Sequence, residues 1–262
     1  MVGKRRRSAR RKPLAGNHQK SWLWGRNAVL ETLGAGRWIP LELVLSDSMD
    51  DDVATRIRDF ATAFDIPLHV ETNDRLTELV HARDHQGVLA KLSAYPYLSL
   101  SDLLQQAADP GLFLVLDSIQ DPFNFGAICR VAVVYGADGV VIGVRDQADV
   151  TPHVARSSAG AVSRLNIAQV NDLAGALVDL KATGTRIIGT APQADQRIDQ
   201  TGLTQPVAII IGNEGRGVSE PLAQACDELV RIPQANSFDS LNAAVSAGIL
   251  CYETHRQRAA QM

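Results

Sequence analysis

Residues 231–253 read RIPQANSFDSLNAAVSAGILCYE, and this stretch decides the fold. It predicts a short strand, a polar loop, and a helix that begins at Ser240-Leu241-Asn242, since Ser and Asn are favoured at helix starts. Two upstream stretches follow the same plan: residues 116–130, LDSIQDPFNFGAICR, and residues 209–222, IIIGNEGRGVSEPL. Each is an apolar strand that runs into a polar loop and then a helix. Three such loops at one end of a sheet predict a binding site.

Strand and helix patterns alternate along most of the chain, which indicates an α/β protein. We expect strands near residues 112–116, 139–143, 164–168, 186–190, 207–211 and 228–232, and helices at 124–135, 172–182, 219–225 and 241–258. Continuous apolar strands such as VAIII (207–211) favour a mostly parallel sheet covered on both faces. Residues 21–92 predict a smaller α/β unit with strands at 41–45, 67–70 and 87–92. Residues 93–110 predict a linker, and 111–262 the larger domain.

The composition is that of a soluble globular protein, with 45% apolar and 21% charged residues among 262. No apolar run approaches the roughly 20 residues of a membrane span, and no apolar stretch follows the charged N-terminus as in a secretory signal. The three cysteines, Cys129, Cys226 and Cys251, are widely spaced in apolar surroundings. We therefore expect buried reduced thiols, no metal site, and a cytoplasmic location.

The net charge of −3 hides a strong asymmetry between the N-terminus and the rest of the chain. Residues 1–30 contain nine basic residues and no acidic ones, and residues 31–262 hold the other 17 basic residues against 29 acidic ones, a net charge of −12. Residues 1–20 have nothing to bury and are expected to be a disordered basic arm. Such an arm on an acidic body predicts a nucleic-acid partner. A solvated tail and a targeting peptide are the alternatives. The basic residues are Lys4, Arg5, Arg6, Arg7, Arg10, Arg11, Lys12, Lys20 and Arg26.

A common nucleotide-binding fold is excluded by the first strand of the larger domain. A dinucleotide-binding Rossmann domain carries G-x-G-x-x-G directly after that strand. This chain has Asp117 to Pro122 there, without a glycine, and its glycine-rich loop comes late, at residues 212–217. A phosphate-binding P-loop is also absent from the sequence.

The three motif stretches resemble those of the SpoU/TrmH family of RNA ribose 2′-O-methyltransferases. LDSIQDPFNFGAICR, IIIGNEGRGVSEPL and IPQANSFDSLNAAVSAGI match in order and spacing over about 150 residues. Residues 157–161, SSAGA, fit the same pattern. The segments Gly25-Arg26-Asn27-Ala28-Val29 and His85-Gln86-Gly87 resemble the ribosomal-protein-like substrate-binding domain that precedes the catalytic domain in members acting on ribosomal RNA.

This resemblance implies a specific fold and activity. The larger domain would be a trefoil-knotted α/β domain that binds S-adenosylmethionine and works as a homodimer, although knots are rare. The reaction would transfer a methyl group to a ribose 2′-hydroxyl of structured RNA, with a guanosine of 23S ribosomal RNA as the first expectation. A transfer RNA substrate is the alternative. A non-catalytic RNA-binding or ribosome-assembly factor on the same fold is the other.

The resemblance also assigns a cofactor pocket. Gly212, Ile232 and Leu241 would hold the cofactor, with Thr190 close by. Glycine allows a close backbone approach, which we expect to serve a flat adenine ring at Gly212. From the residues alone, Ile232 and Leu241 could equally be core positions. In the third motif Gln234 and Asn236 replace the apolar residue and the Gly that the family leads us to expect, so a polar side chain is expected beside the pocket.

The resemblance assigns five catalytic residues, which are Asn124, Arg130, Glu214, Ser240 and Asn242. Their residue types also allow structural interpretations: Asn124 could be the N-cap of its helix, and Ser240 and Asn242 could cap the last helix. Glu214 could be a surface acid, and the family places it against Arg130 or Asn124. Arg130 is the only charge between residues 123 and 136 and would act on the ribose hydroxyl. At 1.5 Å per residue it lies about 9 Å along the helix from Asn124.

Overall fold

The structure, a computed structural model, describes residues 21–236 and 241–261. Its N-terminal unit has a four-stranded sheet in the order β1-β4-β2-β3, with only the β2–β3 pair parallel. The strands are β1 (Trp22–Trp24), β2 (Glu42–Ser46), β3 (Leu68–Glu71) and β4 (Val88–Lys91), and the helices are α1 (Arg26–Ala35), α2 (Asp51–Ala63) and α3 (Asn73–Val80). Strand β1 was not predicted from the sequence. It is defined by its antiparallel pairing with β4, which the local sequence pattern does not indicate.

A seven-stranded, wholly parallel sheet follows, in the order β7-β6-β5-β10-β8-β11-β9. Its strands are β5 (Leu112–Asp117), β6 (Gly139–Gly143), β7 (Ile167–Val170), β8 (Arg186–Thr190), β9 (Gln196–Arg197), β10 (Val207–Gly212) and β11 (Glu228–Arg231). Strand β7 begins three residues later than expected because residues 161–164 form a 3₁₀ turn. The expected parallel α/β sheet is confirmed.

Helices cover both faces of this sheet. They are α4 (Leu100–Gln105), α5 (Pro122–Val134), α6 (Pro152–Ser157), α7 (Leu173–Ala182), α8 (Glu220–Ala225) and α9 (Ala243–Ala259). Alternate residues of β5 face opposite cores: Leu114 and Leu116 pack with α5 and α9, while Phe113 and Val115 pack with α7. Helix α9 returns from β11 to pack on α5 and β10. The knot expected of this chain path stays a prediction.

The two units share one continuous hydrophobic core. The hydroxyls of Thr32 and Ser163 are 3.0 Å apart, and Glu31 pairs with Arg164 at 2.5 Å. Gly160 lies at this contact with φ 88°, and a Cβ there would come within 2.5 Å of the Glu31 Cβ. Residues 160–164 therefore form much of the contact with the N-terminal unit.

The expected linker is also packed onto the C-terminal unit. The hydroxyl of Tyr95 is buried and lies 3.1 Å from the carbonyl oxygens of Val162 and Leu165, while Leu98 forms an isolated parallel bridge with Ala168. The boundaries of the segments 1–20, 21–92, 93–110 and 111–262 stay predictions, and the basic arm lies outside the described residues.

All three thiols are free, and Cys129 and Cys251 are buried as expected. Burial raises the pKa of Cys251 to about 12. Cys226 is only half-buried, so the expected burial is wrong for this residue, and desolvation raises its pKa to about 11. Within residues 21–236 and 241–261, every helix is too short or too polar to span a bilayer.

Candidate cofactor pocket and catalytic residues

The three motif loops lie at one edge of the large sheet. Strands β5, β10 and β11 are parallel, β5 pairs directly with β10, and β8 separates β10 from β11. Their carboxyl ends therefore point the same way, which is where ligands bind in open α/β sheets. The expectation that these loops meet at one edge is confirmed.

The loop after β10 folds back over its own first residue. A Cβ on Gly212 would lie 2.2 Å from the carbonyl carbon of Gly217 and from the amide nitrogen of Val218. The Gly217 amide donates to the Asn213 carbonyl at 2.8 Å, and Gly217 itself has φ 70°. Only glycine fits at position 212, and the reason is this close loop crossing in addition to any approach of a ligand.

The same loop is fastened to the end of β5. Asp117 is 6% exposed, and its Oδ2 accepts a hydrogen bond from the Ser219 amide at 2.7 Å. The Asn213 side chain donates to the Ser118 carbonyl at 2.9 Å and accepts from the Gly215 amide at 2.9 Å. Sequence reasoning did not assign a role to Asp117. The available signal was a carboxylate that ends an otherwise apolar strand, which must find donors when buried.

These loops enclose a cavity of about 280 Å³. All four residues expected to hold the cofactor line it: Thr190, Gly212, Ile232 and Leu241. Each is half-buried, so Ile232 and Leu241 are pocket walls and not only core residues. The Thr190 hydroxyl donates to the Ile210 carbonyl at 3.1 Å, which links β8 to β10 at the pocket floor.

The lining fits S-adenosylmethionine in its chemical character. Apolar walls come from Ile211 and Val230, and backbone with polar groups comes from residues 190–193, 212–217, 231–232 and 234. Binding pockets for small cofactors combine such apolar walls with a few directed polar groups. Gln234 lines the cavity, so the polar substitution expected beside the pocket is present there.

Asn124 connects the three loops through its side-chain amide. It donates a short hydrogen bond to Glu214, and its oxygen accepts from Asn242 at 3.0 Å. Glu214 was expected to contact either Arg130 or Asn124, and the structure shows the contact with Asn124. Because α5 begins at Pro122 and is capped by Asp121, whose carboxylate accepts from the Phe123 amide at 3.1 Å, the N-cap interpretation of Asn124 is wrong.

Asn242 both caps α9 and contacts the site. Its Oδ1 accepts from the amides of Ala244 and Val245 at 2.9 and 3.3 Å, while its amide nitrogen faces Asn124. The capping interpretation is confirmed for Asn242, and the helix begins at Ala243. Ser240, the other expected member of this pair, lies outside the described residues.

Arg130 stands apart from this hydrogen-bonded group. It is exposed on α5, and within the described ranges its guanidinium forms no ion pair or hydrogen bond. The second expected contact, between Glu214 and Arg130, is therefore absent from the part of the chain that the structure describes. Phe123, Arg130 and Val134 recur at helical spacing on one exposed stripe of α5.

Comparison with known proteins agrees with this geometry. Residues 111–252 match the SpoU rRNA Methylase family, and residues 22–98 match the family described as RNA 2′-O ribose methyltransferase substrate binding. YacO of Bacillus subtilis, named as a TrmH family tRNA/rRNA methyltransferase, is 34% identical over 92% of this chain and 98% of its own length.

Solved structures show the same fold. The SpoU methyltransferase AviRb from Streptomyces viridochromogenes superposes with a TM-score of 0.79 and 26% identity, covering 93% of this chain and 91% of that one. Its complex with the cofactor AdoMet gives a TM-score of 0.78 and 25% identity, with 92% of each chain covered. The two family matches, the full-length relative and the shared fold together show that this chain belongs to the SpoU family of S-adenosylmethionine-dependent RNA methyltransferases.

Proposed function

We propose that this protein methylates the ribose 2′-hydroxyl of a guanosine in large-subunit (23S) ribosomal RNA. The observation that carries the proposal is the hydrogen-bonded Asn124–Glu214–Asn242 group, in which Glu214 also lines the pocket formed by the motif loops. S-adenosylmethionine supplies a methyl group on a positively charged sulfur. The match of residues 22–98 to a 2′-O ribose methyltransferase substrate-binding family supports the ribose hydroxyl as acceptor.

The pocket residues hold the cofactor in this proposal. The backbone around Gly212 and Ile232 offers donors and acceptors to a purine edge, and the side chains of Ile232 and Leu241 cover its faces. Thr190 keeps the pocket floor in place through its bond to β10. Each role uses a residue that already lines the cavity.

Asn124 orients the reacting ribose, and Glu214 and Asn242 orient Asn124. The Glu214 carboxylate accepts from the Asn124 amide, while Asn242 donates to the Asn124 oxygen, so the amide has only one arrangement that satisfies both neighbours. Ser240, of the third motif in the sequence, is the further catalytic residue of this proposal. Such a preorganised group costs little reorganisation when the substrate arrives.

Arg130 binds the RNA phosphate beside the target and stabilises the developing alkoxide. Arginine keeps its proton at neutral pH, since its pKa is above about 12. The 2′-hydroxyl proton would therefore pass to that phosphate or to water, and the methyl carbon would leave the sulfur of the bound cofactor as a neutral thioether when the oxygen takes it. The exposed position of Arg130, with no ion pair among the described residues, supports a role toward a bound partner.

The N-terminal unit would dock the RNA in a cleft of about 980 Å³. Polar side chains capable of binding phosphate and base edges line it, and Arg26, Asn73, Arg83 and Gln86 are among them. The basic residues of the arm would add contacts to phosphates that are independent of base sequence. A cytoplasmic location is part of the same proposal.

A homodimer completes the proposal. Four large apolar side chains are at least half exposed on the outer surface of α5 and α9: Phe123 at 70%, Val134 at 65%, Val245 at 50% and Tyr252 at 51%. Exposed apolar patches of this kind mark association surfaces. We assign a second copy of this chain as the partner that covers this patch. The reason is that Phe123 and Val134 lie on the same helix as Asn124 and Arg130. The trefoil knot belongs to the same proposal, supported by the return of α9 to the centre of the sheet.

Mapping of 2′-O-methyl groups tests the function directly. Ribosomal and transfer RNA from cells with and without the gene are compared, and the purified protein is then supplied with unmodified RNA and S-adenosylmethionine. Loss of one guanosine methylation in 23S ribosomal RNA, restored in vitro, is the expected result. Loss of a transfer RNA methylation would replace the substrate, and unchanged methylation with intact RNA binding would instead indicate a non-catalytic ribosome-assembly factor.

A further inference from the structure

A cluster of four side chains joins the cleft of the N-terminal unit to helix α6. Trp24 donates its indole N–H to Asp84 Oδ1 at 2.9 Å, and Arg156 donates to Asp84 Oδ2 at 2.7 Å. The Arg156 guanidinium also lies 3.9 Å from the centre of the Trp24 ring. The His153 ring meets the same indole edge-on at 6.2 Å. One carboxylate and one indole thus hold Arg156 from two directions.

On the N-terminal side, the cluster fixes one wall of the cleft. Asp84 directly precedes the turn at His85, Gln86 and Gly87, which is closed by a hydrogen bond from the Val88 amide to the His85 carbonyl at 3.2 Å. The buried His85 ring accepts from the Gly87 amide at 3.0 Å, and the Gln86 side chain accepts from the Arg26 amide at 2.8 Å. His85, Gln86 and Arg26 all line the cleft, so a shift of Asp84 would move this wall.

On the other side, the cluster reaches the helix that carries Asn124. Arg156 lies on α6, and the next residue, Ser157, donates to the Pro122 carbonyl at 3.1 Å. A Cβ on Gly126 would lie 1.8 Å from the Ser157 hydroxyl oxygen, so α6 is in close contact with α5. Asn124 lies between Pro122 and Gly126 on that helix.

We propose that Arg156 is a positioning residue that holds the Asp84–Gly87 wall of the cleft at a fixed place relative to Asn124, and so determines which nucleotide reaches the methyl donor. This inference rests on the proposed function. A displacement of about 1 Å at a reacting centre can cost as much as 100-fold in rate.

A purely stabilising role does not account for this arrangement. The side chains of Arg156 and Asp84 are 29% and 64% exposed, and ion pairs within reach of solvent contribute little to stability. The units are already joined by the Glu31–Arg164 pair and by the shared core. Removal of the Arg156 guanidinium should therefore leave the protein folded while it releases the wall of the cleft.

The test compares full-length wild-type protein with Arg156→Met, which keeps the side-chain length but loses the guanidinium. Lys181→Met is the matched control, since Lys181 forms a comparable ion pair with Asp227 at 2.7 Å on α7. We measure kcat and KM for unmodified ribosomal RNA, KM for S-adenosylmethionine, and the positions of the methyl groups. Arg156→Met should lower kcat about tenfold or more, with KM for S-adenosylmethionine within about twofold, and should spread methylation to neighbouring nucleotides.

A conservative variant separates positioning from folding. Asp84→Asn keeps the acceptor for Trp24 but removes the ion pair, and it should reproduce the loss of kcat, with no further loss in the double variant. Wild-type kcat and a single methylated position in both Arg156→Met and Asp84→Asn would overturn the inference alone. A wild-type protein that transfers no methyl group to any RNA would overturn the proposed function.

Discussion

The side-chain amide of Asn242 donates a hydrogen bond to the side-chain oxygen of Asn124 at 3.0 Å, although 118 positions separate the two residues in the chain. Asn124 belongs to the first motif and Asn242 to the third. The bond between them therefore exists only when α5 and the start of α9 have both reached the edge of the sheet. Since Glu214 of the second motif is bonded to the same Asn124, a single amide reports the assembly of all three motifs.

The first prediction concerns this amide. Asn124→Ala should lower kcat by about 100-fold or more, the typical cost of losing one preorganised polar group at a reaction centre. Asn124→Asp should be at least as damaging near pH 7, because it places a second carboxylate against Glu214 and adjacent like charges oppose ionisation. Single-turnover methyl transfer measures both effects.

Matched measurements decide whether the loss is catalytic. Binding of S-adenosylmethionine by calorimetry should change little in Asn124→Ala, since Asn124 is not among the residues that line the cavity. Asn171→Ala, at an exposed asparagine outside the motifs, serves as the control and should remain active. An Asn124→Ala protein with wild-type turnover would remove this residue from the reaction.

The second prediction concerns Arg130. Arg130→Ala should reduce kcat by about 10²–10³-fold, while the fold and cofactor affinity are retained, because the side chain is exposed and forms no ion pair among the described residues. Arg130→Lys should recover only a small part of that loss, since an ammonium lacks the planar pair of donors that fits a phosphate. Near-wild-type turnover of the Lys variant in a methyl-transfer assay would contradict the proposed role.

The sequence predicted the parts of the fold that depend on local pattern. Apolar runs that end in polar residues located β5, β10 and β11, and their shared direction placed the motif loops together. The start of α5 could also have been located correctly, because Asp121-Pro122 is a common helix N-terminus with Pro at the first turn. Identifying the pocket residues required the family resemblance, since half-buried Ile232 and Leu241 are indistinguishable from core residues in sequence.

Features that depend on distant contacts were not predictable. Strand β1 exists through its pairing with β4, more than 60 residues later. The role of Asp117 depends on the Ser219 amide, 102 positions away. The contact of residues 160–164 with α1 becomes visible only once the two units pack together, with Gly160 beside Glu31. Local sequence propensities carry no information about contacts between residues so far apart in the chain.

The third prediction uses the loop crossing at Gly212. Gly212→Ala would force a methyl group to within 2.2 Å of the Gly217 and Val218 backbone, which cannot yield as a flexible side chain would. We expect a loss of about 1–3 kcal/mol in the free energy of unfolding, typical of overpacking, together with weakened cofactor binding. Gly202→Ala is the control, because a Cβ there meets no atom within 4 Å. Equal stability and cofactor affinity in the two variants would contradict the geometry.

The fourth prediction tests the association surface. Tyr252→Asp places a charge on the apolar patch of α9, where the Tyr252 ring lies edge-on to Tyr135 at 6.0 Å. Burial of an unpaired charge between two copies is unfavourable, so the dimer should dissociate at protein concentrations at least tenfold higher than in the wild type. Val178→Asp, at a 65% exposed position on α7, is the control and should leave the mass unchanged. Analytical ultracentrifugation over a concentration series makes the comparison, and an unchanged dimer in Tyr252→Asp would place the interface elsewhere.

The fifth prediction concerns the basic arm. Deletion of residues 1–20 removes eight Lys or Arg residues and no acids, and it leaves 18 basic against 29 acidic residues in the remainder. If the arm binds phosphates, the slope of log K against log salt for RNA binding should become shallower by about 0.7–0.9 for each phosphate that the arm no longer neutralises. The methylated position should stay the same, because binding to phosphates carries no base information. Filter-binding assays at roughly 50 to 200 mM salt measure this slope for the full-length and truncated proteins. A truncated protein with the full-length slope would show that the arm does not touch RNA, and the docking of an acidic body onto a polyanion would then depend on the cleft and Arg130 alone.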